Sequence, residues 1–219
     1  MIIHIMAKGP GFLDCPGSNP DADYEVWGLN DAPLYKKIDV LFNMHDLTKQ
    51  PPPNKLCMVV AEQDKVPLIT LKKHDWLSNT KKYPFKTIAK KFLSGHMVGS
   101  QPLQYFSSSI CYMLAMALHK DATEIHLWGA TYFTDQRDHQ LERAGVEFWL
   151  GIAIGRGIKV HVHGPTTILK AGKNNDLYGY ENNDIDYTHN FDEERWQKHE
   201  EKRIEKARKK IKEKEKKAA

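Results

Sequence analysis

The sequence holds few cysteines and no long hydrophobic run. Its three cysteines, Cys15, Cys57 and Cys111, are far apart and have no CxxC spacing. Dispersed thiols in odd number argue against a disulfide framework and against a cysteine zinc site, and they indicate a reducing compartment. The apolar segments are only strand-length. We therefore expect no membrane span, no signal-peptide core and a cytoplasmic protein.

The body of the chain lacks net charge. The full sequence has 32 Lys and Arg against 28 Asp and Glu, and residues 191–219 contain twelve of the basic and eight of the acidic residues. Residues 1–190 are therefore balanced, which argues against a broad nucleic-acid-binding face on them. Any contact with nucleic acid is expected from the basic tail, where acid–base spacing such as Glu205 with Lys209 predicts a solvated helix. A helix that docks on a partner is the other interpretation of this tail.

The apolar pattern predicts an α/β fold. Strand-length runs are expected at residues 2–6, 25–29, 38–43, 56–60, 66–71, 124–128 and 158–162, and helical spacing is expected at 105–119 and 138–155. Alternating strands and helices predict a Rossmann-like, mostly parallel sheet with helices on both faces. The length of 219 residues suits one such domain. We assign residues 1–189 to this domain and residues 190–219 to a charged helical tail.

Two segments depart from this pattern. Residues 49–55, KQPPPNK, carry three consecutive prolines and predict a loop or an edge connection. Residues 72–104 are Lys-rich and are broken by Gly95, Gly99 and Pro102. They predict either a mobile, partly helical insertion that acts as a lid or an ordinary surface connection.

The first strand ends in a turn that suits a phosphate. The stretch IIHIMAKGPGF, residues 2–12, changes from β-branched residues to a lysine and two glycines around a proline. The loop between a strand and the following helix exposes backbone N–H groups, which bind an anion well beside a lysine. The turn matches neither GxGxxG nor GxxxxGK[ST], so it predicts neither the dinucleotide fingerprint nor the P-loop. A tight connection without a ligand is the other interpretation.

Four segments in this order resemble a known family. They are IMAKGPGF, EVWGLNDAP, DVLFNMHDL, and FSSSICYMLAMAL followed by EIHLWGATYF. They resemble the family 42 glycosyltransferases, bacterial sialyltransferases that use a CMP-sugar. They are also similar to the MptE-like pterin pyrophosphokinases and to small phage proteins of the same build. The resemblance covers roughly residues 1–165.

The resemblance implies a site and also marks departures from the family. It implies that Asn30, Asp31 and Asn43 face a donor sugar and that Ser107 and Ser108 face the nucleotide. Where the family carries Arg-Ile-Thr-Ser, this chain has YFSS at residues 105–108, so the arginine is missing. Where the family has Gly-Ile-Asp-Phe-Tyr, residues 129–133 read GATYF and lack the acid. A nucleotide carrying a neutral sugar fits these changes better than a sialic acid donor.

Polar residues follow several predicted strands, at the edge where ligands bind in an open parallel sheet. Asn side chains suit sugar hydroxyls and base edges, and hydroxyls before a helix suit a phosphate. Helix capping and turn formation are the ordinary roles of the same residues. The candidate nucleotide-binding residues are Lys8, Gly9, Pro10, Gly11, Asn30, Asp31, Asn43, Ser107, Ser108, Ser109 and Thr131.

Sugar transfer needs a base for the acceptor's proton. His139 is the first candidate, because it lies in the polar segment TDQRDHQLERAG between a strand end and a helix. His45 beside Asp46 is the second, because a carboxylate raises the basicity of a histidine. An exposed histidine near a helix start is the ordinary interpretation of His139.

The sequence predicts no metal requirement. No DxD-like pair stands at a strand end to hold a metal-bound diphosphate. His161 and His163 share one face of a strand, but a half-buried structural strand has the same alternation and no third ligand has diagnostic spacing.

The favoured function is transfer of a sugar from a nucleotide sugar to an acceptor. The alternatives are a protein that binds and sequesters a nucleotide without catalysis, and a phage enzyme that glycosylates modified DNA bases. The sequence leaves the base, the sugar, the acceptor and the oligomeric state open.

Overall fold

The structure is a computed structural model, and it describes residues 1–49, 52–132 and 137–170 together with residues 198, 201, 202, 205 and 209. The strands are β1 (Ile2–Met6), β2 (Tyr24–Leu29), β3 (Val40–Phe42), β4 (Leu68–Thr70), β5 (Thr80–Lys82), β6 (Met97–Val98), β7 (Gln101–Pro102), β8 (Glu124–Trp128) and β9 (Lys159–His163). The helices are α1 (Pro52–Gln63), α2 (Phe85–Leu93), α3 (Ser109–His119) and α4 (Arg137–Gly155).

Seven strands form one parallel sheet in the order β5-β4-β3-β2-β1-β8-β9. The predicted α/β, Rossmann-like class is confirmed. Parallel neighbours need crossover connections; α1 lies in the one from β3 to β4 and α4 in the one from β8 to β9, whereas β1, β2 and β3 are joined through short 3-10 turns. All seven carboxyl ends therefore lie along one edge, which we call the rim.

The sheet is buried on both faces over its centre. Ile3 and Ile5 point toward a core built with α2, α3 and α4, and Trp149 of α4 is fully buried there. Met6 lies in a second core, which includes Met58 of α1. Alternate residues of β1 thus serve opposite faces, as the period of a strand requires.

One predicted strand and one predicted connection are wrong. Residues 56–60 lie within α1, and the proline-rich segment opens that helix at Pro52 instead of forming a loop. The first N–H groups of a helix have no partner within the helix, so proline costs little at its first turn and its fixed φ favours helix initiation. Pro52 and Pro53 therefore help to start α1. Residues 50 and 51 lie outside the described residues.

The segment expected to form a lid divides into two parts. β5 pairs in parallel with β4, and Ile88 of α2 is buried in the core, so the first part belongs to the main fold. Tyr83 donates its hydroxyl to the Tyr112 carbonyl at 2.9 Å, which attaches this part to α3. Beyond Leu93, the hairpin β6–β7 exposes Met97 and Val98. A lid function remains a prediction for this hairpin.

The tail is described at five positions, all of them helical. The Lys209 ammonium lies 2.8 Å from the Glu205 carboxylate, the spacing predicted for an i,i+4 pair. Elsewhere in the part of the chain that the structure describes, no helix has both the length and the apolar character needed to cross a bilayer.

Candidate functional site

The strand order creates a switch point at β1. The chain proceeds from β1 outward through β2, β3, β4 and β5, then returns to place β8 and β9 on the other side of β1. The connections after β1 and β8 therefore cross opposite faces of the sheet, and open parallel sheets usually bind ligands at such a point. The predicted residues after β1, β2, β3 and β8 all follow strand ends on this rim.

Two glycines bring the loops after β1 and β8 into backbone contact. Gly9 donates its N–H to the Gly129 carbonyl at 2.7 Å. A Cβ at Gly9 would lie 2.5 Å from that carbonyl oxygen and 2.9 Å from the Thr131 hydroxyl. The absence of a side chain at Gly9 thus allows the close approach. Its N–H is engaged by the Gly129 carbonyl and is not free to bind a phosphate, while the assignment of this turn to a nucleotide site stays a prediction.

Lys8 is held by an acid from the next strand end. Its ammonium lies 2.9 Å from the Asp31 carboxylate, and the Asp31 side chain is 9% exposed while that of Lys8 is 48% exposed. A buried carboxylate with one exposed cationic partner positions that cation at the rim. Because the Lys8 side chain is half-exposed, its ammonium is accessible to an anionic ligand.

Two asparagines follow neighbouring strands and have unpaired amide atoms. The Asn30 N–H donates to the Phe42 carbonyl at 3.0 Å, which places Asn30 beside the start of the loop that holds Asn43. Among the described residues, neither Asn30 Oδ1 nor Asn43 Nδ2 has a hydrogen-bond partner, although both atoms are buried. An unpaired buried polar group costs about 1–3 kcal/mol. Neighbouring strand ends thus hold one acceptor and one donor without a partner among the described residues.

The serines reach the loop after β8. Ser107 accepts or donates a long hydrogen bond with Cys111 at 3.7 Å, and Ser108 hydrogen-bonds the Tyr132 hydroxyl. Burial raises the pKa of Tyr132, so this hydroxyl is neutral. Ser108 is the N-cap residue of α3, yet among the described residues its side chain makes no capping hydrogen bond. The start of α3 therefore lies at the rim with its macrodipole directed toward it.

The candidate bases differ in how far the structure describes them. His45 is exposed after β3, and its N–H donates to Asn43 Oδ1 at 3.2 Å. Asp46 accepts from the Thr48 N–H at 3.0 Å and from its hydroxyl at 2.7 Å, and these bonds lower the pKa of Asp46. Asp46 is thus engaged in a local turn. His139 lies in the first turn of α4, but its side chain lies outside the described residues.

Sequence reasoning missed residues that support the rim from the other side. The Thr166 hydroxyl donates to the Ala130 carbonyl at 2.7 Å, and the Thr167 N–H donates to the Thr131 carbonyl at 3.0 Å. Tyr132 adopts a left-handed φ of 53°, unusual for a bulky residue. The residues GPTT after the last strand are a turn signal in the sequence. Their contacts with residues 130 and 131 follow only from the pairing of β8 with β9.

Comparisons with known proteins identify one distant structural neighbour and no family. No protein-family model matches the chain, and no curated protein matches it. Among solved structures, a single-substitution mutant of the α-2,3/8-sialyltransferase CstII is similar in fold. The two share 15% sequence identity, and the match covers 74% of this chain and 81% of that chain with a TM-score of 0.45. A likeness at this level assigns neither a family nor an activity.

Proposed function

We propose that the protein binds a nucleotide sugar at the rim and transfers the sugar to an acceptor. The observation that carries the proposal is the pair of buried, unpaired amide atoms of Asn30 and Asn43 at neighbouring strand ends. A hydroxyl group both donates and accepts, so sugar or ribose hydroxyls satisfy Asn30 Oδ1 and Asn43 Nδ2 together.

The phosphate is proposed to lie between Lys8 and the start of α3. The half-exposed Lys8 ammonium is held at the rim by Asp31, and the helix N-terminus carries partial positive charge. Both groups would stabilise the negative charge that develops on the leaving phosphate.

A neutral sugar is proposed over a charged one. Tyr105 and Phe106 occupy the positions before the serines, and the Tyr105 carbonyl accepts from the Trp149 indole at 2.7 Å. Phe106 packs against Tyr112 and Trp149 with ring centroids 4.7 and 5.0 Å away. This segment contributes aromatic packing and no cation for a sugar carboxylate.

The acceptor's proton is proposed to pass to His139, with His45 as the second candidate. Helix α4 begins at Arg137 after β8, so its first turn lies on the rim side of the fold. A base must lie within hydrogen-bond reach of the proton it removes. The backbone N–H of His45 donates to the Asn43 side chain, so His45 lies next to Asn43.

The experiment titrates the full chain with nucleoside mono- and diphosphates of each base by calorimetry. We expect one nucleotide to bind at 1:1, and Lys8→Ala to weaken binding by about ten- to a hundredfold, the value of a charge-assisted hydrogen bond. Lys37→Ala is the matched control, because Lys37 is exposed and precedes β3. Equal effects of the two variants would contradict the proposed phosphate position.

Turnover of the corresponding nucleotide sugars then tests the reaction. His139→Ala is expected to abolish transfer and to leave nucleotide binding nearly intact. Nucleotide binding without turnover of any donor would favour the sequestering alternative. If modified DNA is the acceptor, DNA binding through the basic tail must weaken steeply with salt.

A further inference from the structure

The first three residues of β8 and of β9 bring one carboxylate and two imidazoles together. The strands pair in register, with His126 opposite His161. The Glu124 Oε1 atom lies 2.9 Å from His126 Nε2 and 3.1 Å from His161 Nε2. One ligand atom from each residue lies within 4.8 Å of the others. Three good metal ligands thus converge from two adjacent strands.

A fourth residue orients this group. The His126 Nδ1 atom lies 2.8 Å from His163 Nε2, and the His163 ring stacks on Trp128 with centroids 3.7 Å apart. A metal-binding histidine usually makes such a hydrogen bond with its second ring nitrogen, which fixes the ring and its tautomer. His163 is therefore placed as an outer partner of His126.

We propose that Glu124, His126 and His161 bind a divalent transition-metal ion, with Zn²⁺ the best match. Two imidazole nitrogens and one carboxylate oxygen are a common zinc donor set, and they leave one position for water. Zinc bonds of about 2.0–2.2 Å in tetrahedral geometry separate ligand atoms by about 3.3 Å. The Nε2 to Oε1 distances of 2.9 and 3.1 Å are close to this value.

The position gives the ion a role separate from sugar transfer. Glu124 begins β8 and His126 lies two residues before its end at Trp128, so about 7 Å of strand separates the nearest ligand residue from the rim. β9 is the edge strand of the sheet. An ion bound by residues of both strands would attach this edge to β8 and stabilise the sheet there.

The test titrates Zn²⁺ alone into the tag-free full chain by calorimetry, after EDTA treatment and dialysis. We expect one tight site in the wild type. His161→Ala and Glu124→Gln should each weaken it by at least the 10- to 100-fold that loss of an outer partner costs. His96→Ala is the matched control and should bind as the wild type does, because His96 is exposed and lies outside the cluster.

Two further measurements distinguish metal coordination at this site from nonspecific binding of the metal to other histidines. Co²⁺ should give the visible absorption of a tetrahedral site in the wild type and in His96→Ala, and not in His161→Ala. Zn²⁺ should raise the thermal midpoint of the wild type, since a ligand that binds only the folded state stabilises it. Absence of a 1:1 site in the wild type, or equal binding by His161→Ala, would overturn the proposal. Nucleotide binding after EDTA treatment should be unchanged, so the two proposals fail independently.

Discussion

Gly9 and Gly129 form a reciprocal backbone contact at the centre of the rim. The Gly9 N–H donates to the Gly129 carbonyl at 2.7 Å, and a Cβ on either residue would lie 2.5 Å from the carbonyl oxygen of the other. Gly129 also has a φ of +68°, which other residues rarely adopt. The switch point is thus closed by two loops that tolerate no side chain at these positions.

We expect Gly9→Ala to destabilise the protein by about 1–3 kcal/mol, because the methyl group meets backbone that cannot turn away. Urea unfolding followed by circular dichroism measures the change. Gly17→Ala is the control, since its Cβ would meet only the Lys37 carbonyl at 3.9 Å. If both variants unfold at the same midpoint, the contact at Gly9 does not constrain the fold.

Two of the glycines of α4, Gly145 and Gly151, should respond in opposite directions when replaced by alanine. A Cβ at Gly145 would overlap the Ser107 hydroxyl and lie 3.1 Å from Cys111 Sγ, so Gly145→Ala must separate α4 from the start of α3. A Cβ at Gly151 meets no atom within 4 Å among the described residues, and Ala there favours the helix by about 1 kcal/mol.

We therefore predict that the thermal midpoint falls in Gly145→Ala and rises in Gly151→Ala. The first variant should also weaken nucleotide binding, because it moves the serines at the rim. A rise in both variants would show that α3 and α4 have room to adjust at Gly145.

Buried thiols should make the protein sensitive to high pH. Burial raises the pKa of Cys15 and of Cys57 to about 12, from an ordinary value of 9.0. The unfolded chain loses these protons above about pH 9 while the folded chain keeps them, so the free energy of unfolding falls as the pH rises from 9 toward 12. Replacing both residues with alanine should flatten this dependence relative to the wild type in denaturant unfolding across that range.

The same thiols should be inert in the folded protein. The thiolate is the reactive form, and at pH 8 a pKa of about 12 leaves roughly one thiol in ten thousand ionised. Labelling with a disulfide reagent should therefore be slow in buffer and should reach all three cysteines in urea. Rapid labelling of Cys15 or Cys57 in the native chain, identified by peptide mapping, would contradict their burial.

Most strands of the sheet and the residues at the rim could be predicted locally, whereas β5 and the contacts between strands could not. Strand β8 was predicted at its observed bounds, because β-branched and aromatic residues between turn signals identify a strand without its neighbours. Asn30 and Asn43 were placed at the rim for the same reason.

The histidine cluster needed the register of two strands. His126 and His163 are 37 positions apart, and only the parallel pairing of β8 with β9 brings their rings within hydrogen-bonding distance. The sequence of β9 alone offers His161 and His163 but no third metal ligand. Glu124 can be recognised as that ligand only when β8 is known to pair with β9. The helix opened by Pro52 was missed for a different reason, because proline breaks a helix in its interior and favours it at its first turn.

The Asn30→Gly variant tests separately how much stability the unpaired amide costs and how much it contributes to ligand binding. Asn30 has a left-handed φ of 52°, which glycine adopts without strain, and its buried Oδ1 lacks a partner among the described residues. The substitution removes the unpaired acceptor and keeps the backbone shape. We predict a free energy of unfolding equal to that of the wild type or higher by about 1 kcal/mol.

Nucleotide binding should change in the other direction in this variant. Loss of one hydrogen bond of about 0.5–1.5 kcal/mol weakens binding by roughly two- to twelvefold. Asn19→Gly in an exposed turn should leave the affinity unchanged. Calorimetry and urea unfolding on the same samples make the comparison. If Asn30→Gly binds nucleotide as tightly as the wild type, the ligand does not contact this amide. If Asn30→Gly also unfolds more easily than the wild type, Asn30 is a structural turn residue. An unpaired amide that serves a ligand should instead lower the stability of the ligand-free wild type.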